Sequence, residues 1–478
     1  MVIFKDFASL LSIKHLYHRI ATESLKYKAN RGYFMYEIIL GRLEEERKKL
    51  GIKGAILLGK LYVTMGQRTA LSNEIYMDVT RSHAVFVCGK RGGGKSYSLG
   101  VIAEGMANLD HDISQNLAVV MLDTMGIYWT MKYANSKDEE LLKQWNLKGK
   151  GLDVQIYTPN GYFKTYKEQG IATDFPFSLN AMDLDPSDWC LTFQIEQTEP
   201  LGVLIERIIN DFEEEEKDYN LDDIILTIKH TKEASEDVKN AAINLFLSVK
   251  GWGLFSEKGT KIEEIIKGGQ VTVLDVSCYA TIPGAGNVKS LVIGLVAQKL
   301  FIERMVARKK EEYEEIHHVE EAAFEDRDSK KQTPMVWLII DEAHEFIPKE
   351  GNPPSLNGLI TILREGRQPG ISLILATQQP GKIHTDVLTQ SDIVLSHRLT
   401  AKIDVDALGA IMQSYMRGGL EKQFNLLPRV KGAGIVFDDT NERLYPMRIR
   451  PRFTWHGGAA PTAIPEKKTE EEDELTLY

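Results

Sequence analysis

The sequence predicts an α/β fold organised around a mostly parallel β-sheet. Short runs rich in Val, Ile and Leu are separated along the chain by stretches with helical spacing. The runs are near-continuous rather than alternating, which is typical of strands covered on both faces by helices. They span residues 83–88, 117–123, 154–158, 271–276, 335–341, 371–377, 392–395 and 434–437.

The remaining segments predict four further regions. Residues 1–53 have helical spacing and are expected to form a helical N-terminal arm, and residues 54–82 read as a small β subdomain of reduced, barrel-like form. The core spans residues 83–456, with a helical insertion at about 186–250. Residues 457–478 are expected to form an acidic, flexible tail.

The composition is that of a globular protein with an acidic balance. The 478 residues are 43% hydrophobic and 26% charged, with 58 Lys and Arg against 68 Asp and Glu and a formal net charge of -10. This balance argues against a protein that coats nucleic acid or an anionic membrane with its whole surface, because phosphate neutralisation needs clustered basic residues. Much of the acid lies at 211–218, 311–328 and 466–478, so a local basic channel stays compatible with it.

The cysteines and apolar runs indicate the compartment. Cys88, Cys190 and Cys278 are widely spaced and form no C-x-x-C pair, so reduced thiols are expected rather than disulfides or a zinc ribbon. The N-terminus lacks the cleavage site of a signal peptide. No uncharged apolar run reaches the roughly 18 residues that span a bilayer. We therefore expect a cytoplasmic protein without an integral membrane segment.

The first chemical motif is a glycine-rich loop that follows the run at 83–88 and precedes a helical stretch. It satisfies G-x-x-x-x-G-K-[ST]. Its glycines let backbone N–H groups turn inward around phosphate oxygens, and the following helix adds the positive end of its dipole. Lys95 would reach the β- and γ-phosphates, and the Ser96 hydroxyl would bind Mg²⁺. A Gly-rich turn that matches by chance is the alternative. The expected nucleotide-binding residues are Gly89, Arg91, Gly92, Gly93, Gly94, Lys95, Ser96 and Tyr97.

The second motif is the hydrophobic run at 335–340, which ends in two adjacent carboxylates. Asp341 can hold Mg²⁺ through its water shell, which is the Walker B role. Glu342 can accept a proton from, or orient, the water that attacks the γ-phosphate. The pair is therefore typical of an ATP-hydrolysing site, and the alternative is two acids that merely begin a helix.

Two further stretches complete the candidate site. The run at 371–377 ends in Thr377 and Gln378, which should lie beside Lys95 and Glu342 because parallel strands open on one crevice. Gln378 is placed to sense the γ-phosphate, or the strand simply leaves the core through polar residues. Arg364 and Arg367 lie at the end of a helix expected to begin at about Leu356, where they either reach a neighbouring subunit's γ-phosphate or cap helix carbonyls.

The ordered combination resembles the HerA branch of the FtsK and HerA superfamily of P-loop motors. The resemblance covers about residues 54–456 and rests on four runs: F-V-C-G-K-R-G-G-G-K-S-Y-S-L-G, L-I-I-D-E-A-H-E-F-I-P, I-L-R-E-G-R-Q-P-G-I-S-L-I-L-A-T-Q-Q-P and M-R-I-R-P-R-F-T-W-H-G. It implies a RecA-like ATPase core that uses ATP and Mg²⁺, assembled as a homo-hexameric motor on double-stranded DNA. It also implies a NurA-like nuclease partner in end processing, and Arg367 as the finger acting in trans.

The sequence departs from this pattern in two places. The β segment at 54–79 is short for a complete barrel, which puts the usual nuclease-docking surface in doubt. The resemblance implies that Asp123, at the end of its run, is a second acidic site residue, but an unusual T-M-G-I-Y-W sequence follows it. The candidate DNA contacts are Lys132 and residues 417–422, although exposed charges are more often only solvated.

Two other functions stay open on the sequence alone. One is a peripheral motor ATPase of a conjugation, secretion or viral packaging system, which has the same fold. The other is a nucleotide-dependent assembly or switch protein that does not translocate. ATPase turnover with and without linear duplex DNA separates these alternatives from a DNA motor.

Overall fold

The computed structural model describes residues 37–65, 68–281, 286–321, 333–412 and 420–458. The chain divides into two units, Met1–Ile38 and Ile39–Tyr478, and nearly all described residues belong to the second. The strands are β1 (Ile38–Leu40), β2 (Ala55–Met65), β3 (Arg68–Asp78), β4 (Ala84–Cys88), β5 (Leu117–Asp123), β6 (Val154–Pro159), β7 (Phe175–Phe177), β8 (Val271–Asp275), β9 (Met335–Ile340), β10 (Ile371–Thr377), β11 (Ile393–His397), β12 (Ala433–Asp438) and β13 (Arg443–Ile449).

The helices alternate with these strands along most of the chain. They are α1 (Glu44–Leu50), α2 (Lys95–Ala107), α3 (His111–Ser114), α4 (Glu139–Gln144), α5 (Asn160–Glu168), α6 (Pro186–Phe193), α7 (Pro200–Glu214), α8 (Leu221–His230), α9 (Glu236–Gly251), α10 (Ile262–Ile265), α11 (Gly286–Glu321), α12 (Leu356–Glu365), α13 (Thr385–Gln390), α14 (Lys402–Met412) and α15 (Leu420–Leu426).

The strands form one sheet in the order β1-β3-β2-β13-β12-β11-β4-β10-β9-β5-β8-β6-β7. Neighbouring strands from β11 across to β7 are parallel. Those from β11 to β3 are antiparallel. Every residue of β5 and of β10 is buried, because helices cover both faces of the central strands. The predicted α/β fold with a mostly parallel sheet is confirmed.

The N-terminal part of the described chain differs from the prediction. The run Ile38–Leu40, which we place on a helical stripe, is a buried strand at the edge of the sheet. Three consecutive apolar residues fit a helix and a fully buried strand equally well, so periodicity alone cannot separate them. Residues 1–36 of the predicted arm, and most of the predicted tail, lie outside the described residues.

The β2–β3 hairpin continues the main sheet and is not a separate β subdomain. It joins through β13, where Met447 pairs with Leu61 and Ile449 pairs with Gly59. A Cβ built on Gly59 would lie 2.1 Å from the carbonyl oxygen of Arg448, so the close approach of the two strands requires glycine. The sequence shows the hairpin but not the distant strand that it pairs with.

Helices α6 to α9 lie between β7 and β8 and pack on a shared apolar core. Trp189 of α6 and Phe246 of α9 are fully buried, with ring centroids 5.0 Å apart. The amphipathic pattern of α7, which buries Ile205, Ile208 and Phe212, explains why this segment is helical. Within the described ranges, no helix is both long and apolar enough to cross a bilayer.

The sheet brings the ends of three strands to one edge. Thr377 of β10 pairs with Cys88 of β4, and Leu375 of β10 pairs with Ile340 of β9. The residues that follow these strands therefore open on the same crevice, as expected for a parallel sheet.

Candidate nucleotide-binding site

The glycine-rich loop connects β4 to α2 and has the backbone conformation that only glycine adopts readily. Gly92 and Gly94 have φ of +71° and +109°. The N–H of Gly93 donates to the carbonyl oxygen of Lys90 at 2.9 Å, and Lys95 Nζ lies 3.5 Å from the same oxygen. Burial lowers the pKa of Lys95, and the carboxylates of Asp341 and Glu342 oppose that shift. The loop therefore curves around its lysine in the form that cradles phosphate groups.

A buried histidine supports this loop from the end of β11. A Cβ on Gly89 would lie 2.6 Å from the Cβ of His397, so the loop packs directly on that residue. Nε2 of His397 lies 2.9 Å from Oγ of Ser98, and Nδ1 lies 3.3 Å from the carbonyl oxygen of Ala433. Burial lowers the pKa of His397 to about 4, so the ring is neutral at pH 7. The sequence does not single out this residue, because the contact joins segments 299 residues apart.

The residues expected to hold Mg²⁺ lie in direct contact. The Ser96 hydroxyl donates to Oδ2 of Asp341 at 2.5 Å, and the Tyr128 hydroxyl donates to the same oxygen at 3.2 Å. The backbone N–H of Glu342 donates to Oδ1 of Asp341 at 2.9 Å. One hydroxyl and one carboxylate fit Mg²⁺, which keeps most of its water ligands and takes few from protein. In the described part of the chain, no group of three or more His, Cys, Asp or Glu offers a fuller metal site.

Glu342 is held beside Asp341 in a strained backbone conformation. Its φ is +51°, in the left-handed region that few non-glycine residues occupy. Nε2 of Gln378 donates to Oε1 of Glu342. Oε2 is buried and has no hydrogen-bond partner among the described residues. Leaving a buried acceptor unpaired costs about 1–3 kcal/mol, so this oxygen fits a water that is bound together with the substrate.

Asp123 makes structural hydrogen bonds, whereas the resemblance of the sequence implies a second acidic site residue at this strand end. Its two carboxylate oxygens accept the backbone N–H groups of Met125, Gly126, Ile127 and Tyr128 at 2.7–3.1 Å. Burial, together with the charge of Asp275, raises the pKa of Asp123 to about 7. The carboxylate therefore folds the turn that presents the Tyr128 hydroxyl to Asp341, and it is not a second free acid of the site.

The two candidate arginines differ in their contacts. Nε of Arg364 donates to Oδ2 of Asp386 at 2.6 Å. Arg367 is exposed and makes no ion pair or side-chain hydrogen bond within the described segments. The loop that carries it is fixed by buried Arg304, whose Nε donates to the carbonyl oxygen of Pro369 at 2.8 Å.

The other predicted residues fall in three groups. Arg91 is exposed, and Tyr97 is half-buried, with its hydroxyl accepting the N–H of Arg452 at 2.7 Å. Lys132 donates to both carboxylate oxygens of Asp174 at 2.7 Å, so its charge is already paired. Of the stretch 417–422, residues 417–419 lie outside the described residues.

The segment after β13 closes over α2 through a buried glutamate. Oε1 of Glu104 accepts Arg452 Nε at 3.1 Å and the Thr454 hydroxyl, and Oε2 accepts Arg450 Nη1 at 2.9 Å. The backbone N–H groups of Phe453 and Thr454 complete the set at 3.2 and 3.1 Å. The R-P-R sequence therefore joins the closing segment to the helix that begins at the nucleotide site.

The loop, the Asp341–Glu342 pair and the exit of β10 define a P-loop ATPase. Residues 56–290 match the family model described as "Helicase HerA, central domain". Residues 56–290 of this P-loop ATPase are therefore similar to the central domain of HerA.

Two curated relatives have HerA in their names. The probable DNA double-strand break repair helicase HerA of Methanocaldococcus jannaschii is 40% identical over 108 residues, which cover 21% of this chain and 21% of that protein. The DNA double-strand break repair helicase HerA of Pyrococcus furiosus is 29% identical over 154 residues, covering 30% and 26%. The matches thus span about a fifth to a quarter of these relatives.

Solved structures that align with this chain include VirB4 of Thermoanaerobacter pseudethanolicus. It has a TM-score of 0.49 and 14% identity and covers 83% of this chain and 96% of that one. The genome packaging NTPase B204 from Sulfolobus turreted icosahedral virus 2, in complex with ATP-gammaS, has a TM-score of 0.30 and 11% identity, covering 77% and 98%.

Proposed function

We propose that this chain is an ATP-dependent motor that translocates on, or unwinds, double-stranded DNA. The observation that carries the proposal is the unpaired Oε2 of Glu342 beside Asp341, at the crevice where Lys95 and Gln378 also lie. A carboxylate poised in this way is a base for hydrolysis, whereas a protein that only binds nucleotide needs none. The proposal that the motor acts on DNA rests on the match to the HerA central domain and on the names of the curated relatives.

Each residue has a defined part in the proposed reaction. Bound Mg²⁺ would neutralise the charge on the β- and γ-phosphates, with Ser96 and Asp341 as the residues that hold it. Lys95 binds the γ-phosphate, and the backbone N–H groups of the loop surround the β-phosphate. Glu342 takes the proton of the attacking water at Oε2, while Gln378 fixes the other oxygen.

We further propose that the chain acts as a homo-hexameric ring. The support is Arg367, which is exposed and unpaired within the described ranges. Arg304 holds the loop that carries it by donating a hydrogen bond to the carbonyl oxygen of Pro369. An unpaired guanidinium on a loop that is held in place can act as an arginine finger in the nucleotide site of a neighbouring subunit.

A NurA-like nuclease that acts with this motor in DNA end processing is part of the same proposal. It rests on the resemblance to HerA and on the repair function that the relatives' names state. The β2–β3 hairpin is shorter than a barrel, so the docking surface for such a nuclease would differ from that of a protein with a full barrel. An increase in nuclease activity on linear duplex DNA that requires ATP turnover tests this pairing.

The central experiment measures ATP turnover in Mg²⁺ with and without linear duplex DNA, beside the mass of the particle. We expect particles of about six subunits, as in ring motors of this class, and turnover that rises with DNA. Lys95→Ala is the control, because it removes the phosphate-binding ammonium and should abolish turnover. A monomer whose turnover ignores DNA would contradict the motor and favour an assembly or switch protein. Co-purification with membranes would favour a peripheral ATPase of a transport system.

A further inference from the structure

The ring of His344 joins the ends of β9 and β10 at the candidate site. Its Nδ1 lies 3.2 Å from Oγ1 of Thr377, and its Nε2 lies 3.2 Å from Nε2 of Gln379. Nδ1 is also 3.6 Å from Oε2 of Glu342. One side chain thus touches the two residues that flank Gln378 and the unpaired oxygen of the proposed base.

The partners of His344 define its protonation and orientation. The side-chain nitrogen of Gln379 is a donor only, so Nε2 of His344 accepts from it, and the tautomer that fits this contact carries its proton on Nδ1. Nδ1–H then donates to the Thr377 hydroxyl oxygen, which also accepts the backbone N–H of Gln379 at 3.0 Å. The ring is therefore fixed at both nitrogens, and its N–H edge faces Glu342.

The loops that follow the two strands are paired backbone to backbone beyond His344. Lys349 N–H donates to the carbonyl oxygen of Lys382 at 2.8 Å, and His384 N–H donates to that of Ile347 at 2.9 Å. Pro348 and Ile383 form an isolated β-bridge between them. The loops are therefore tied at their far ends by backbone bonds, and at their base His344 links them beside the Gln378–Glu342 hydrogen bond.

We propose that His344 is a positioning residue for Glu342. It fixes the turn after β9 against Thr377 and Gln379, so that Oε2 of Glu342 stays directed at the attacking water. If the paired loops shift, the His344 ring would transmit that displacement to Glu342. The proposal rests on the ATP hydrolysis proposed above and adds a residue that does not itself touch nucleotide.

Three variants test this role through the steady-state kinetics of ATP hydrolysis. His344→Ala should lower kcat by about 10- to 100-fold, since a small misplacement of a catalytic group has effects of that size, while KM changes less than about 2-fold. His344→Asn should recover much of that loss, because its amide N–H can donate to Thr377 from a position close to that of Nδ1. His111→Ala, at an exposed histidine of α3, is the matched control and should behave as the wild type.

The same variants in a Glu342→Gln background separate positioning from a general loss of structure. With the base removed, His344→Ala should lower kcat by less than about 2-fold, because a residue that acts through Glu342 has nothing left to position. A kcat of His344→Ala within 2-fold of the wild type would overturn the proposal. So would an Asn variant no better than Ala, or an undiminished loss in the Gln background.

A spectroscopic measurement keeps the inference separate from the proposed function. If the wild-type protein hydrolyses no ATP, the proposed function fails. The His344 geometry is then decided by the ¹⁵N chemical shifts of its ring, assigned by their loss in His344→Asn. A neutral ring protonated on Nδ1 supports the linkage, and a ring protonated on Nε2 overturns it.

Discussion

Two enclosed glutamates, Glu342 and Glu104, differ in the number of their hydrogen-bond partners, as do the roles proposed for them, one chemical and one structural. Both oxygens of Glu104 are saturated by two arginines, a hydroxyl and two backbone N–H groups. Glu342 has one donor on Oε1 and none on Oε2 among the described residues. The saturated carboxylate has no capacity left for substrate and holds two segments together. The unsaturated one keeps an acceptor free for a proton, at the expense of local stability.

Removing the charge of Glu342 tests the chemical side of this comparison and should have the largest effect. Glu342→Gln keeps the size of the side chain and its contact with Gln378 but cannot accept a proton. Turnover of ATP should fall by about 10²–10⁴-fold, the usual contribution of a general base, while nucleotide still binds. Rapid-quench kinetics and equilibrium binding of an ATP analogue measure the two quantities.

The matched control for this variant is Glu345→Gln. Glu345 lies on the same turn but is exposed, so the ATP turnover of the Glu345→Gln variant should equal that of the wild type. Equal turnover in Glu342→Gln and the wild type would remove Glu342 from the reaction.

Removing the charge of Glu104 tests the structural side. Glu104→Gln leaves Arg450 and Arg452 buried without their counter-charge and turns an amide N–H toward other donors. Breaking a buried pair in this way costs about 3–5 kcal/mol, and urea unfolding should show a loss of that size. The remaining folded fraction should keep its turnover per site, because Glu104 has no contact with the proposed catalytic groups.

Glu140→Gln is the control for stability, because Glu140 is exposed on α4. This substitution should change the free energy of unfolding by less than about 0.5 kcal/mol. If Glu104→Gln unfolded at the same urea concentration as the wild type, the saturated carboxylate would not hold the closing segment.

The same distinction between paired and free charges applies to Arg364, in the last turn of α12, and to Arg367, just after it. Arg364 is paired with Asp386, whereas Arg367 is free in the described part of the chain. Arg367→Ala should therefore lower ring turnover by about 10²-fold or more, as loss of an arginine finger does. Arg364→Ala should change stability by no more than about 1 kcal/mol and leave turnover nearly intact.

Mixed rings decide whether Arg367 acts in trans. Subunits with Arg367→Ala keep Glu342, and subunits with Glu342→Gln keep Arg367. Mixing the two inactive variants should restore part of the activity, because some interfaces then combine a normal base with a normal finger. Mixtures that stay as inactive as either parent would place the arginine outside the neighbouring site.

The sequence predicts the motif-bearing elements well because their signals are local. Buried strands produce unbroken apolar runs, and the residues that end β4, β9 and β10 therefore identify the crevice. The supporting contacts are not local: Tyr128 reaches Asp341 across 213 residues of sequence. No spacing rule connects such segments, so the sequence alone does not single out Tyr128 or His397. His344 stands inside a recognised motif, yet its partners come from another strand. The helix predicted for Ile38–Leu40 is wrong, because an apolar run of three residues is too short to show a period.

Asp123 and Asp275 extend the comparison to a carboxylate that is saturated and still destabilised. Asp123 accepts four N–H groups, but burial and the adjacent charge of Asp275 raise its pKa to about 7. A raised pKa means that the folded state binds a proton more tightly than the unfolded chain does. Its stabilising contribution is complete below about pH 4 and is lost as the pH rises toward 7.

Asp275→Asn should reduce this pH dependence and has the smallest expected effect. Without the neighbouring charge, the pKa of Asp123 falls, so the loss of unfolding free energy between pH 5 and pH 8 should shrink by about 1 kcal/mol. Urea denaturation at the two pH values measures it, with Asp110→Asn, an exposed residue, as the control. An unchanged difference would mean that burial and the four N–H groups set the proton affinity of Asp123 without a contribution from the charge of Asp275. Saturation by donors would then not suffice to stabilise the ionised form of this buried carboxylate, and burial would account for its raised pKa.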